Sequence, residues 1–89
     1  MSISEKHKEF VSESIVDKSV RELPGIGEEL GQRLEEKGFK TAEKVVGQYL
    51  ILRKKEDLFK DWLKQACRAN EQQQNDCYDC IKEWCDFNL

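Results

Sequence analysis

Apolar residues recur at three- and four-residue spacing along the chain and nowhere in strict alternation, so the pattern predicts helices and no strands. A first short helix, "SEKHKEFVSE", turns Phe10 and Val11 inward and is entered through a capping box of Ser2 and Glu5. "SIVDKS" connects it to a second short helix, "VRELPG". Pro24 and Gly25 end that helix, because proline lacks an N–H and clashes with the preceding turn. A third runs from Gly27 to Lys37, burying Ile26, Leu30 and Leu34, with Gly38 as its left-handed cap. Thr41 caps a fourth, "AEKVVGQYLIL", whose inner side carries Ala42, Val45, Val46, Tyr49, Leu50 and Leu52. The fifth, "KEDLFKDWLKQAC", presents Leu58, Phe59, Trp62, Leu63 and Ala66. "RANEQQQN" reads as a polar stretch before a last helix with Cys77, Cys80, Ile81, Trp84 and Cys85 on one face. The expected fold is all-α, a compact domain of about five to six short helices joined by short loops.

Size and charge restrict what such a bundle does. At 89 residues the chain is expected to be a single domain spanning 1–89. So short a chain hides only about 60–65% of the surface its unfolded form exposes, which leaves a thin margin of stability. No apolar run approaches the roughly 18–20 residues that span a bilayer, and "MSISEKHKEF" lacks a signal-peptide core. A soluble protein with no direct membrane insertion is expected. Charged residues make up 37% of the chain with both signs interspersed, and the net charge of −3 argues against a simple basic DNA coat.

Cys77 and Cys80 have the gap of a zinc half-site, but a second pair is missing, and the single histidine, His7, lies near the other end. With Cys85 they complete a helix face instead, so buried, reduced core thiols are expected, with no metal and no cofactor. No acid–base pair or nucleophile constellation is present, and no enzymatic activity is expected.

The stretch "LPGIGEELGQRL" at 23–34 holds the proline and three of the five glycines. Glycines at 25, 27 and 31 miss the dinucleotide spacing, and no strand precedes them. Between two helices, Gly25 and Gly27 are expected to take positive φ and to let the backbone approach a ligand, with Ile26 anchoring the turn. The unpaired N–H groups of the next helix then make a main-chain phosphate cradle that needs little net positive charge. Arg33, Lys6 and Lys8 would add cations. Glu28 and Glu29 suit the helix dipole but would repel DNA if turned toward it. Contacts of this type carry no base information, so binding should be independent of sequence. Gly47 is a second anomaly, since glycine inside a helix costs about 1 kcal/mol relative to alanine. It shares a face with Ile51, opposite much of the Val46/Tyr49/Leu50 stripe. Apolar on two sides, this helix is expected to meet either a second copy or a partner.

The hairpin, at about 20–37, resembles the helix-hairpin-helix motif, which grips the sugar-phosphate backbone of DNA. Beyond it, "KHKEFV", "GIGEELGQRLEEKGF", "VVGQYLILRKKEDLF" followed by "WLK", and "CIKEWCD" resemble the barrier-to-autointegration factor family in order and spacing over the whole chain. The resemblance implies a symmetric homodimer in which each subunit holds one DNA duplex, so that the dimer bridges DNA and compacts chromatin. It further implies a surface at the dimer interface for LEM-domain proteins of the inner nuclear membrane, roles in nuclear assembly, and residence in nucleus and cytoplasm.

Carried over by position, it implies a DNA surface of Ser4, Lys6, Gly25, Ile26, Gly27, Leu30 and Arg33, completed by Gln72 and Asn75. Dimer contacts fall to Gly47, Leu50, Leu52 and Trp62, and the LEM groove to Ile51, Arg53 and Leu58. Ser4 matches a phosphorylation site, where a phosphate beside Lys6 would cancel its charge. The family often carries lysine and arginine at 72 and 75 and a lysine at 32. Gln72, Asn75 and Gln32 release no counterion, so weaker affinity and a shallower salt slope are expected. "ESIVDKSV" also lacks the family's proline and glycine near Ser14 and Val16. A helical interaction adaptor with weakened DNA binding is the alternative reading.

Overall fold

The chain's computed structural model describes residues 5–89; the Ser2 half of the first capping box and the Ser4 site lie outside them. Helix α1 spans Glu5–Ser12, α2 Glu28–Glu36, α3 Ala42–Ile51, α4 Glu56–Cys67 and α5 Glu71–Asn88, with a 3₁₀ turn at Val20–Glu22. The expected all-α fold is present, and the β pairing among the described residues amounts to one bridge between Ser19 and Thr41. No helix among the described residues is long and apolar enough to cross a membrane.

Side-chain caps set most of the boundaries. Ser19 and Glu22 form a capping box on the 3₁₀ turn, and Thr41 accepts the Lys44 N–H at the start of α3. Asn70 accepts the Gln73 N–H while Gln73 accepts the Asn70 N–H, both at 2.8 Å. This box starts α5 at Glu71, so the "EQQQN" expected as part of a connecting stretch is instead the first helical turn. Gly38 takes φ +93° after α2, as the left-handed cap requires.

Phe10, Leu23, Ile26, Leu34, Tyr49, Phe59, Leu63 and Ile81 fill the core, with Tyr49 set edge-on to Phe59 at 5.4 Å between centroids. All four cysteines are buried free thiols. Burial pushes the Cys77 thiol well up and the Cys80 thiol up to about 12. Leu50 and Leu58 depart from expectation: both were placed on inner faces, yet they are 42% and 45% exposed. The buried stripe of α3 is 42, 45, 46 and 49 and that of α4 is 59, 63, 66 and 67, so each leucine lies beyond its edge. Lys18 closes the connection before the 3₁₀ turn from a buried position. It pairs with Glu13 and Glu22 over the Phe10 ring, and the Glu13 bond holds its ammonium above the usual pKa despite burial.

Candidate nucleic-acid interface

Two of the hairpin glycines do different work. Gly25 takes φ +82°, and a Cβ there would stand 2.6 Å from the carbonyl oxygen of Gln73. Its bareness therefore seats the hairpin on the first turn of α5 rather than admitting a ligand. Gly27 does not take the expected positive φ: its φ of −108° and ψ of −155° are extended backbone open to any residue. A Cβ at Gly27 would meet none of the described residues within 4 Å. Neither conformation nor internal packing asks for glycine there; what it provides is unobstructed access from outside.

Gly27 is the N-cap of α2 and offers no side-chain cap; its carbonyl accepts the first ladder bond from the Gly31 N–H at 2.8 Å. The amides of Glu28 and Glu29 precede that ladder and have no intrahelical acceptor. Ile26 is fully buried, and its N–H is taken by the Leu23 carbonyl at 3.0 Å. Its own carbonyl accepts the Lys6 ammonium at 2.8 Å, which fixes a cation beside the opening. Leu30 is core, so only its main chain belongs to the opening.

Arg33 is placed less freely than expected. One guanidinium nitrogen meets Glu29 at 2.9 Å and another the Cys67 carbonyl at 3.1 Å, tying α2 to the end of α4. Gln72 is exposed next to Gln73 and donates to Asp76 at 2.8 Å. Asn75 sits on the α4 side of α5, lining a cleft of about 480 Å³ with Lys60, Lys64 and Asn70. The fold thus brings Lys6, Gly25 and Gly27 beside the first turn of α5, where Gln72 and Asn75 lie at i and i+3. Sequence reasoning missed Arg21, whose guanidinium meets Glu28 at 2.6 Å and Glu35 at 3.0 and 3.1 Å. Gly31 was the available signal: a Cβ there would lie 2.5 Å from the Arg21 Cγ.

A second surface surrounds α3. A Cβ at Gly47 would meet none of the described residues within 4 Å, and Gly47 lines an apolar pocket of about 210 Å³ with Ile15, Val46, Leu50, Trp84 and Leu89. Leu52 and Trp62, assigned with Gly47 and Leu50 to one contact, are not in this pocket. Trp62 is half-buried and packs edge-on to Phe39 at 4.9 Å. Ile51 (74% exposed), Arg53 and Leu58 stand out at the corner between α3 and α4.

An all-helical domain organised around two helical segments and a glycine hairpin is the class these features define. The family follows from sequence: the model described as Barrier to autointegration factor matches residues 1–88, and the chain belongs to that family. It is 61% identical over 88 residues to the barrier-to-autointegration factor of Danio rerio, covering 99% of this chain and 98% of that one. Identity to barrier-to-autointegration factor B of Xenopus laevis is 60% over 88 residues, with the same coverage. To the Homo sapiens protein it is 54% over 89 residues, with both chains covered in full.

Proposed function

We propose that this chain binds double-stranded DNA independently of sequence, through backbone phosphate held by the open start of α2. The observation that carries the reading is Gly27, a helix start with no side-chain cap and no Cβ, where a Cβ would meet none of the described residues within 4 Å. Lys6, held on the Ile26 carbonyl, adds a cation, and the Gln72 and Asn75 amides on the first turns of α5 are further donors. Gly47, Leu50, Leu52 and Trp62 form the contact between two copies, and the resulting homodimer bridges duplexes and organises chromatin in the nucleus and at its envelope. Ile51, Arg53 and Leu58 receive LEM-domain proteins. Ser4, close in sequence to Lys6, is the regulatory phosphorylation site, with a cytoplasmic pool of the protein as its counterpart. Family membership supports each part of this reading.

Gly27→Glu is the test. The extended backbone and open space at 27 accommodate the side chain, so helical content is retained while its carboxylate fills the phosphate position. Loss of duplex binding in a gel shift, with an unchanged circular dichroism spectrum, is the expected outcome; normal binding by this variant would remove the hairpin from the interface. The second reading, an adaptor with little DNA affinity, is favoured by the engagement of Arg33 with Glu29 and Cys67 and of Gln72 with Asp76. It requires no duplex binding at low salt together with capture of a LEM domain.

A further inference from the structure

The hairpin carries an apparent contradiction. Glu28 and Glu29 occupy the first turn of α2, where their carboxylates suit the helix dipole and so compete with any phosphate for the same amides. Glu28 is the more exposed, with 90% of its side-chain surface open to solvent. Free to swing, it would fold back over the Gly27 opening as an internal anion.

Arg21 prevents this. Residues 28, 31 and 35 fall at i, i+3 and i+7, one face of α2. The Arg21 side chain lies along that face, its Cγ over the bare Gly31. At one end its Nε and Nη2 fork onto the two oxygens of Glu35 at 3.0 and 3.1 Å. At the other its Nη1 holds a Glu28 oxygen at 2.6 Å. The Glu35 fork anchors the guanidinium, and the anchored guanidinium draws Glu28 toward the C-terminal side of the opening. Consistent with this, the Arg21 bond holds the Glu35 carboxyl below its ordinary pKa. An ion pair with so exposed a carboxylate contributes little stability. Its consequence is local: it decides the charge a phosphate meets at the helix start.

Building on the reading of the hairpin as a phosphate site, we infer that Arg21 is a positioning residue for DNA binding, which withdraws and neutralises Glu28 so that the α2 amides remain available. Gly31 belongs to the same device, since a side chain there would displace the Arg21 stem.

The test is a double-mutant cycle on the full chain, using duplex affinity at fixed low salt as readout, with Gly27→Glu as the non-binding control. Arg21→Met keeps a stem over Gly31 and removes the guanidinium. It is expected to weaken binding by about threefold to tenfold, the scale of one partly screened charge beside a phosphate. Glu28→Gln alone changes affinity little, because that charge is already masked, whereas in the Arg21→Met background it restores binding. A simple structural role for Arg21 predicts no such rescue. If the two single effects multiply, Arg21 is only a distant cation and the inference is overturned. Melting curves accompany each variant; if Arg21→Met is unfolded at the assay temperature, Arg21→Gln replaces it in the same cycle, retaining a stem and hydrogen-bonding head but losing the charge. Failure of the unaltered chain to bind, or binding equal to that of Gly27→Glu, sinks the hairpin reading itself and this inference with it.

Discussion

Replacing Gly25 by alanine separates the structural glycine of the hairpin from the one that faces outward. Gly25 sits at φ +82°, where an L-residue pays about 1–2 kcal/mol. The new Cβ would stand 2.6 Å from the Gln73 carbonyl oxygen and 3.2 Å from its Cα, both main-chain atoms. They belong to a first turn fixed by the Asn70–Gln73 box, so the contact is relieved only by lifting the hairpin off α5. Overpacking of that type costs about 1–3 kcal/mol, bringing the total to roughly 2–5 kcal/mol. Against an overall stability of about 5–15 kcal/mol this is a large loss. At about 4–8 °C per kcal/mol for a domain of this size, Gly25→Ala lowers Tm by at least about 8 °C. Gly27→Ala, on extended backbone with open space in front, loses less than about 1 kcal/mol. Paired thermal melts followed by circular dichroism read the difference directly. A Gly25→Ala melt within about 3 °C of the parent, or a larger loss at Gly27, would refute the reasoning.

Stability should hold from neutral pH and fall in alkali. Burial raises the Tyr49 phenol to about 12 and the Cys80 thiol to about 12, so the unfolded chain releases these protons first and is favoured as pH climbs past each unfolded-state value. The Lys18 ammonium, raised by Glu13, acts with the same sign. Urea midpoints should therefore be level up to about pH 8 and decline steeply toward pH 11, and Tyr49→Phe should flatten the upper part of that decline. A flat profile through this range would mean these groups are hydrated in the folded state. Gly47→Ala should raise the helix stability of the isolated chain by about 1 kcal/mol, since none of the described residues lies within 4 Å of the new methyl, while weakening self-association. Sedimentation decides it: an unchanged dimer mass across dilution removes Gly47 from the contact.

Helices were legible because each needs only its own stripe. Leu30 and Leu34, or Phe59 and Leu63, announce a buried face without reference to anything distant. Failures came where a partner far along the chain decides. Gly25 and Gly27 look equivalent in sequence, and only the seat of Gly25 against Gln73 distinguishes them. The span of Arg21 to Glu28 and Glu35 depends on the 3₁₀ turn packing on α2 over Gly31. The start of α5 was missed for a different reason: Asn70 and Gln73 cap each other, and both are residues that also fill loops. Leu50 and Leu58 were assigned inward by helical spacing, whereas each lies at the edge of its buried stripe and stays more than a third exposed among the described residues.

The distribution of caps connects these local facts to function. Ser19, Thr41 and Asn70 each give a side-chain oxygen to the turn that follows, a contribution of about 1 kcal/mol apiece. Gly27 and Lys55 give none. A chain this short has little stability to spare, yet it forgoes a cap at two of the helix starts described. Both bare starts fall within the proposed contact surfaces: Gly27 at the phosphate cradle, Lys55 between Arg53 and Leu58 at the partner corner. The capped starts carry scaffold instead, with Ser19 and Thr41 bridged to each other and Asn70 holding the turn on which Gly25 rests. On the proposed reading, amides are left unsatisfied where an outside acceptor is to arrive, and that placement, rather than net charge, would equip a chain of −3 to hold a polyanion.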